Sequence, residues 1–413
     1  MLAKTPPMGW NSWDCYGASV TEDIVRQNAD YMAKHLKQYG WEYIVVDIQW
    51  FQPTADNHEY KPFADLAMDE YSRLLPAENR FPSAKNGAGF KALGEYIHSL
   101  GLKLGIHIMR GIPRQAAHRN TKIKGIDLTA RDIALPNSIC QWNPDMYGVN
   151  PDSKGAKEYY NSLFELYAEW GVDFVKVDDI AREFHVGEIN LIRQAIDNCG
   201  REIVLSISPG ASPIEHAEYF KENVNMWRIT DDFWDRWDLL LDMFERAQKW
   251  CTHAVPGHFP DADMLPVGAI NQCYSKDAWT KFTKDEQVTM MTLWCIMRSP
   301  LMIGGELTKC DEFTLNLLTN ADLLEMLNNS WCARQVYRRD DTIVWTAVQK
   351  NGGNYLAVFN IADEAKIISV ELTKCGLDGE YNAFELWSKD KSVLKETLTV
   401  NINPHGVKIF KFD

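Results

Sequence analysis

Over its first 330 residues the chain alternates short apolar, β-branched runs with longer amphipathic segments, and few folds accommodate that order. The runs are Met8–Trp10, Tyr43–Ile48, Lys103–Ile108, Asp173–Asp178, Ile203–Ser208, Met226–Thr230, His258–Asp263 and Pro300–Ile303. Between them the spacing predicts helices, among them Thr21–Leu36, Lys154–Trp170, Val186–Asn198, Arg236–Trp250 and Lys284–Met297. On the first of these Ile24, Met32 and Leu36 share a face, and Thr21-Glu22-Asp23 supplies an acidic start. Repeated strand–helix units build a parallel sheet, and eight of them predict a (β/α)8 TIM barrel.

The pattern changes at Trp331. Thr342–Thr346, Tyr355–Phe359, Ile367–Val370, Tyr381–Leu386, Glu396–Val400 and Gly406–Phe412 read as short strands, with Asn351-Gly352-Gly353-Asn354 as a hairpin turn. The expected organisation is a catalytic barrel over 1–330 and an antiparallel β domain over 331–413. One barrel loop stands out. Arg110–Asn150 is long and carries little regular pattern, and loops of that length in compact domains are usually functional.

Composition narrows the partners. With 43 Lys and Arg against 57 Asp and Glu the chain carries −14, which argues against nucleic acid because a phosphate backbone would be repelled. The 15 Trp suit either sugar-stacking surfaces or a large core. The nine Cys are odd in number and form no CxxC pair, which fits scattered reduced thiols and gives no metal site. No apolar leader follows Met1 and no apolar run has membrane-spanning length. The expectation is a cytoplasmic protein with no membrane partner, no metal and no cofactor.

In a (β/α)8 barrel reacting groups project from the C-terminal ends of the strands. Here those ends read Asp47-Ile48-Gln49-Trp50, His107-Ile108-Met109-Arg110, Lys176-Val177-Asp178-Asp179, Ser206-Ile207-Ser208, Arg228-Ile229-Thr230-Asp231-Asp232 and Asp261-Ala262-Asp263. Strand alternation puts Lys176 and Asp178 on one face, and two such charges at a barrel mouth point to a site rather than to packing. Arg228 and Asp232 divide the same way. Asp179 is expected to cap the following helix, while Asp231 and Asp235 read as rivals to Asp232 or as solvated and capping groups. His107 reads equally as a satisfied core histidine, and Trp10, Trp13 and Trp50 each have a core reading beside a sugar-binding one.

At these residues a resemblance emerges. Thr5-Pro6-Pro7-Met8-Gly9-Trp10-Asn11-Ser12-Trp13, Gly101–Ile106, Gly171–Asp178, Trp227-Arg228, Asp261–Leu265 and Ser299–Gly304 follow the order of motifs in glycoside hydrolase family 27, the α-galactosidase family. The resemblance spans residues 5–330. It implies a barrel followed by an antiparallel β-sandwich, and retaining exo-hydrolysis of galacto-configured glycosides. It also implies Asp178 as nucleophile and Asp232 as general acid/base, with Trp13 walling the sugar pocket and Asp47, Lys176 and Arg228 on the hydroxyls. His107, Trp50 and Ser208 are further candidates for substrate contact. Retention needs two carboxyl groups about 5–5.5 Å apart; Lys176 would keep Asp178 ionised, and Asp232 would need a raised pKa to hold its proton. The family also includes oligomers, so a homo-oligomer is a possible assembly.

The chain departs from the family pattern at Ile48, where α-galactosidases carry a second aspartate that binds O6. An alkyl group there cannot accept from a hydroxyl. β-L-Arabinopyranose, which is α-D-galactopyranose without C6, would set its ring methylene against Ile48, so a β-L-arabinopyranosidase is favoured over an α-galactosidase. The small residues of Ser206–Gly210 leave α-N-acetylgalactosaminidase as a third reading, with an inactive sugar-binding protein as the alternative from another class. Arg110, Arg114 and Trp142 are expected at the aglycone or at a neighbouring subunit.

Overall fold

The computed structural model describes residues 2–413. Eight parallel strands follow one another around a curled sheet: Met8–Asn11, Tyr43–Val46, Lys103–Met109, Val172–Asp178, Val204–Ile207, Met226–Arg228, Phe259–Asp261 and Leu301–Ile303, the last beside the first. The ring closes just past the seventh strand. There Leu265 N donates to Met302 O (2.7 Å) and Gly304 N donates to Leu265 O (2.9 Å). The expected barrel is therefore present, with helices on its outside.

Helices Val186–Asn198 and Lys284–Met297 match their expected spans, and Glu22–His35, Ala156–Glu169 and Trp237–Trp250 differ from theirs by one or two residues at an end. Lys91–Ser99, Ala217–Asn223, Glu312–Leu318 and Ala321–Asn329 were not among the named expectations; short helices carry few repeats of an apolar period. Among the described residues no helix is long and apolar enough to cross a membrane, and the nine cysteines form no disulfide.

Strand parity sorts the barrel interior. Tyr43, Val45, Phe174, Val204, Met226 and Met302 form an apolar cluster within it. The next inward positions on three of those strands are Asp47, Lys176 and Asp178, and Arg228. The barrel is thus apolar below and charged at its C-terminal mouth. The outward residues, including Ile44, Val46, Val175 and Val177, join the core beneath the helices.

The segment 110–150 is not irregular. It folds into a three-stranded antiparallel sheet, Ile112–Pro113, Met146–Val149 and Ala134–Ile139, with helices Arg114–Arg119 and Ala130–Ile133 between. These pieces pair with one another across the excursion, so no local period announces them.

From Ser330 the chain builds a six-stranded sheet, and Lys366–Glu371 pairs with Thr397–Ile402 as a second, two-stranded sheet. The expected hairpin is present: Thr342–Gln349 pairs with Asn354–Asn360, and Gly352 and Gly353 take φ of 89° and 86°. Val344, Leu356, Val358, Phe410 and Phe412 face the two-stranded sheet. Ile343, Trp345, Ala357, Phe359 and Ile409 join the barrel's outer core. The six-stranded sheet therefore lies between the small sheet and helices Trp237–Trp250 and Lys284–Met297. Phe244 meets Phe359 there (ring centroids 4.9 Å) and Thr289 Oγ1 donates to His405 O (2.6 Å).

Candidate active site

Asp178 ends its strand with both carboxylate oxygens held. His107 Nε2 donates to Oδ2 (3.1 Å) and Asp179 N donates to Oδ1 (2.9 Å). Burial opposes its ionisation, but the His107 hydrogen bond and charge, followed by Lys176, outweigh it and hold the carboxyl well below the usual carboxylate range. His107 is fully buried, with its other ring nitrogen unpartnered. It stands behind Asp178 rather than in the cavity.

Asp47 is the second fixed carboxylate. Asn11 Nδ2 (2.7 Å) and Lys176 Nζ (3.1 Å) donate to its Oδ2, and Ile48 N donates to its Oδ1 (2.8 Å). Burial is again outweighed, here by Lys176, His107 and the two amide donors, and the pKa is lowered. Lys176 is pulled the other way. Despite burial, Asp47 and Asp178 hold its ammonium protonated well above the ordinary lysine range.

Arg228, 2% exposed, reaches Asp263 through Nη1 (2.8 Å) and Asp232 through Nη2 (3.1 Å). Asp232 sits on the loop beyond its strand, its side chain 56% exposed, where water reaches it. The rival carboxylates are both bonded, although Asp231 and its partner Arg182 also border the cavity at this mouth. Asp231 pairs with Arg182 at the surface (2.8 Å), and buried Asp235 accepts from Lys281 N (2.6 Å).

A cavity of about 320 Å³ opens at this mouth. Trp13, Asp47, Ile48, Trp142, Lys176, Asp178, Asp231 and Asp232 all line it, so eight residues named from the sequence meet in one place. Arg228 lies directly behind Asp232. Ile48 reaches the cavity beside Asp47 because the strand stops at Val46 and Gln49 takes φ of 64°, so simple alternation no longer separates neighbours. Tyr60 and Trp142 add an aromatic wall: Tyr60 stacks on Trp13 (6.0 Å) and meets Trp142 (5.6 Å).

Besides His107 and Arg228, which stand behind the two carboxylates rather than on the cavity wall, four expectations need correction. Trp50 is buried among Phe51, Phe90 and Trp170, donating to His107 O (2.7 Å), so it packs the barrel from outside. Ser208 is buried with its hydroxyl unpartnered, and its neighbour Pro209 lines the cavity instead. Asp179 caps no helix, since the next begins at Val186; it takes φ of 57° and binds Arg110. Arg110 is itself buried away from any aglycone.

Sequence reasoning missed Asp14, Tyr60, Arg182 and the pairing of Asp263. Asp14 is buried with Oδ2 unpartnered, and a Cβ on Gly304 would overlap that oxygen. Burial, then Asp263 and Asp232, push its pKa well up. Its only signal was a charged residue directly after the apolar-aromatic opening motif. Tyr60 had none, lying in a loop without period.

Family comparison matches residues 5–150 and 151–329 to the model described as Alpha galactosidase A. Residues 339–412 match the Alpha galactosidase C-terminal beta sandwich domain. A β-L-arabinopyranosidase of this family from Geobacillus stearothermophilus superposes with a TM-score of 0.97 at 58% identity, covering 100% of this chain and 97% of that one. A Bacillus halodurans C-125 protein, provisionally assigned as an α-N-acetylgalactosaminidase, superposes at 0.90 with 56% identity, over 100% and 98%. Among curated relatives, alpha-galactosidase 2 of Arabidopsis thaliana is 26% identical over 99% of this chain and 89% of its own length.

Proposed function

The chain belongs to the α-galactosidase family, glycoside hydrolase family 27, and on that premise we propose that this glycosidase is a retaining β-L-arabinopyranosidase. The observation that carries the reading is Ile48 on the cavity wall beside Asp47. An alkyl group there offers nothing to a hydroxymethyl oxygen and takes up the space that group would need. A pyranose ending at C5 sets a methylene against it. The 58% identity to an arabinopyranosidase supports the same choice.

The mechanism follows from the charges. Asp178, kept ionised by His107 and Lys176, attacks the anomeric carbon as the leaving oxygen takes a proton from Asp232. A glycosyl ester on Asp178 results. Asp232, open to water, then deprotonates the water that cleaves the ester and restores both groups. Asp47 and Lys176 bind ring hydroxyls, Arg228 braces Asp232 from behind, and Trp13 and Tyr60 face the sugar. The division of labour proposed for the chain is catalysis by 1–330, with 331–413 as a supporting β domain.

The test compares kcat/KM on p-nitrophenyl β-L-arabinopyranoside, α-D-galactopyranoside and N-acetyl-α-D-galactosaminide. Preference for the arabinoside is expected. Preference for the galactoside would mean that O6 finds another partner, and preference for the third would assign the space near Pro209 to an acetamido group.

A further inference from the structure

The Asp178 carboxylate is oriented partly by a backbone N–H, and that peptide is held by the residue that follows the neighbouring barrel strand, Arg110. Asp179 N donates to Asp178 Oδ1 (2.9 Å), while the carbonyl of the same peptide unit accepts from Arg110 N (2.9 Å). Arg110 Nε donates to Asp179 O (2.7 Å), and Nη2 donates to Asp179 Oδ2 (2.7 Å). The Arg110 backbone N–H thus holds the first peptide unit after Asp178, and its guanidinium holds the second together with the Asp179 side chain. Any turn of the first would swing its N–H away from the carboxylate.

The far side of the guanidinium is anchored as firmly. Nη1 donates to Glu188 Oε1 (2.9 Å) and to Ser138 Oγ (3.0 Å). Tyr160 OH donates to Glu188 Oε2 (2.5 Å) and accepts from Gly111 N (3.1 Å). The side chains of Arg110 and Glu188 are only 3% and 4% exposed, so these bonds are shielded from water. Asp179 holds a left-handed φ of 57°, a conformation that a non-glycine residue keeps only where its surroundings impose it. None of Arg110, Asp179 and Glu188 lines the cavity.

We propose that Arg110 is a positioning residue for the glycosidic reaction, its guanidinium fixing the carbonyl and carboxylate of Asp179 and so the N–H of Asp179 that orients the Asp178 carboxylate. It also makes the 110–150 excursion part of that support, through Ser138. The assignment rests on Asp178 being the nucleophile.

The experiment is covalent trapping by the 2-deoxy-2-fluoro glycosyl fluoride of the preferred sugar, β-L-arabinopyranosyl or α-D-galactopyranosyl. It follows the maximal inactivation rate and the inhibitor's half-saturating concentration separately. Arg110→Lys keeps the charge and loses the fork. Asp179→Asn keeps shape and left-handed backbone, and serves if the lysine variant does not fold. Both are expected to slow trapping by about ten- to a hundredfold, because small misplacements of a reacting atom cost that much. Half-saturation should stay within about threefold, since the cavity wall is untouched. Trapping at the wild-type rate in a folded variant overturns the proposal, and so does half-saturation rising by the same factor as the rate falls. Mass spectrometry of the wild-type adduct separates the premise from the inference: a label away from Asp178 removes the nucleophile assignment and the clamp with it. A label on Asp178 with unaffected variants removes the clamp alone.

Discussion

Two adjacent residues, Asp47 and Ile48, are proposed to divide the recognition of the sugar. One is ionised and tied by Asn11, Lys176 and its neighbour's amide; the other is an alkyl surface. Ile48→Asp restores an acceptor at that wall. We expect galactoside kcat/KM to rise and arabinoside kcat/KM to fall, reversing the ratio by at least about tenfold, since a site hydroxyl partner is worth more than a methylene; an unchanged ratio removes Ile48 from specificity. Asp14 makes a stability prediction instead. Its folded-state pKa is raised by burial and by Asp263 and Asp232. From the ordinary carboxylate range up to that raised value the folded state holds a proton that the unfolded state has released. Stability therefore falls as pH rises through that window. Asp14→Asn removes the slope, so its gain in Tm over the parent should grow from acid toward neutral pH. A gain constant with pH would mean that Asp14 does not titrate in that window.

At the scale of elements, the two carboxylates proposed as catalytic sit on different kinds of support. Asp178 is the last residue of a seven-residue strand whose four apolar residues are buried, and both of its oxygens are bonded. Asp232 follows a three-residue strand by four positions and is more than half exposed. A fixed nucleophile and an acid/base open to water suit a two-step displacement. Asp178→Ala is expected to abolish turnover for every leaving group, with azide restoring some activity as an inverted glycosyl azide. Asp232→Ala should leave p-nitrophenyl substrates much less impaired than alkyl glycosides; equal losses would end the acid assignment. The 110–150 excursion belongs here too. Its strands pair only with one another, and it delivers Trp142 to the cavity and Ser138 to Arg110.

For the whole molecule, the β-sandwich and the barrel share one apolar core. Alternate residues of the six-stranded sheet point to the small sheet and to the barrel helices, so the larger sheet is covered on both sides. Phe359 is fully buried against Phe244 across this junction. Phe359→Ala should cost roughly 3–5 kcal/mol and lower a single cooperative melting transition, with kcat/KM intact below it. Two separate transitions, only one of them shifted, would show that the units unfold independently.

The strand–helix order, the charged strand ends and the glycine hairpin were legible in the sequence because each depends on near neighbours. Parity along one strand puts Lys176 and Asp178 together, and two glycines make the turn between Gln349 and Asn354. Trp50 and Ser208 misled because a side chain at a strand end can face the helices or the mouth, and what packs against it decides; Phe90 and Trp170 claim Trp50 from positions 40 and 120 residues away. Asp14 against Gly304, Tyr60 against Trp13, and Arg110 gripping the peptide after Asp178 are likewise contacts between distant segments. The sequence by itself determined the barrel, its partner domain and the chemical types at the mouth, since periodicity and local turn chemistry are properties of short stretches. Only the tertiary structure decided which of those groups share the cavity and which hold the others in place, because that depends on closure of the ring and on burial.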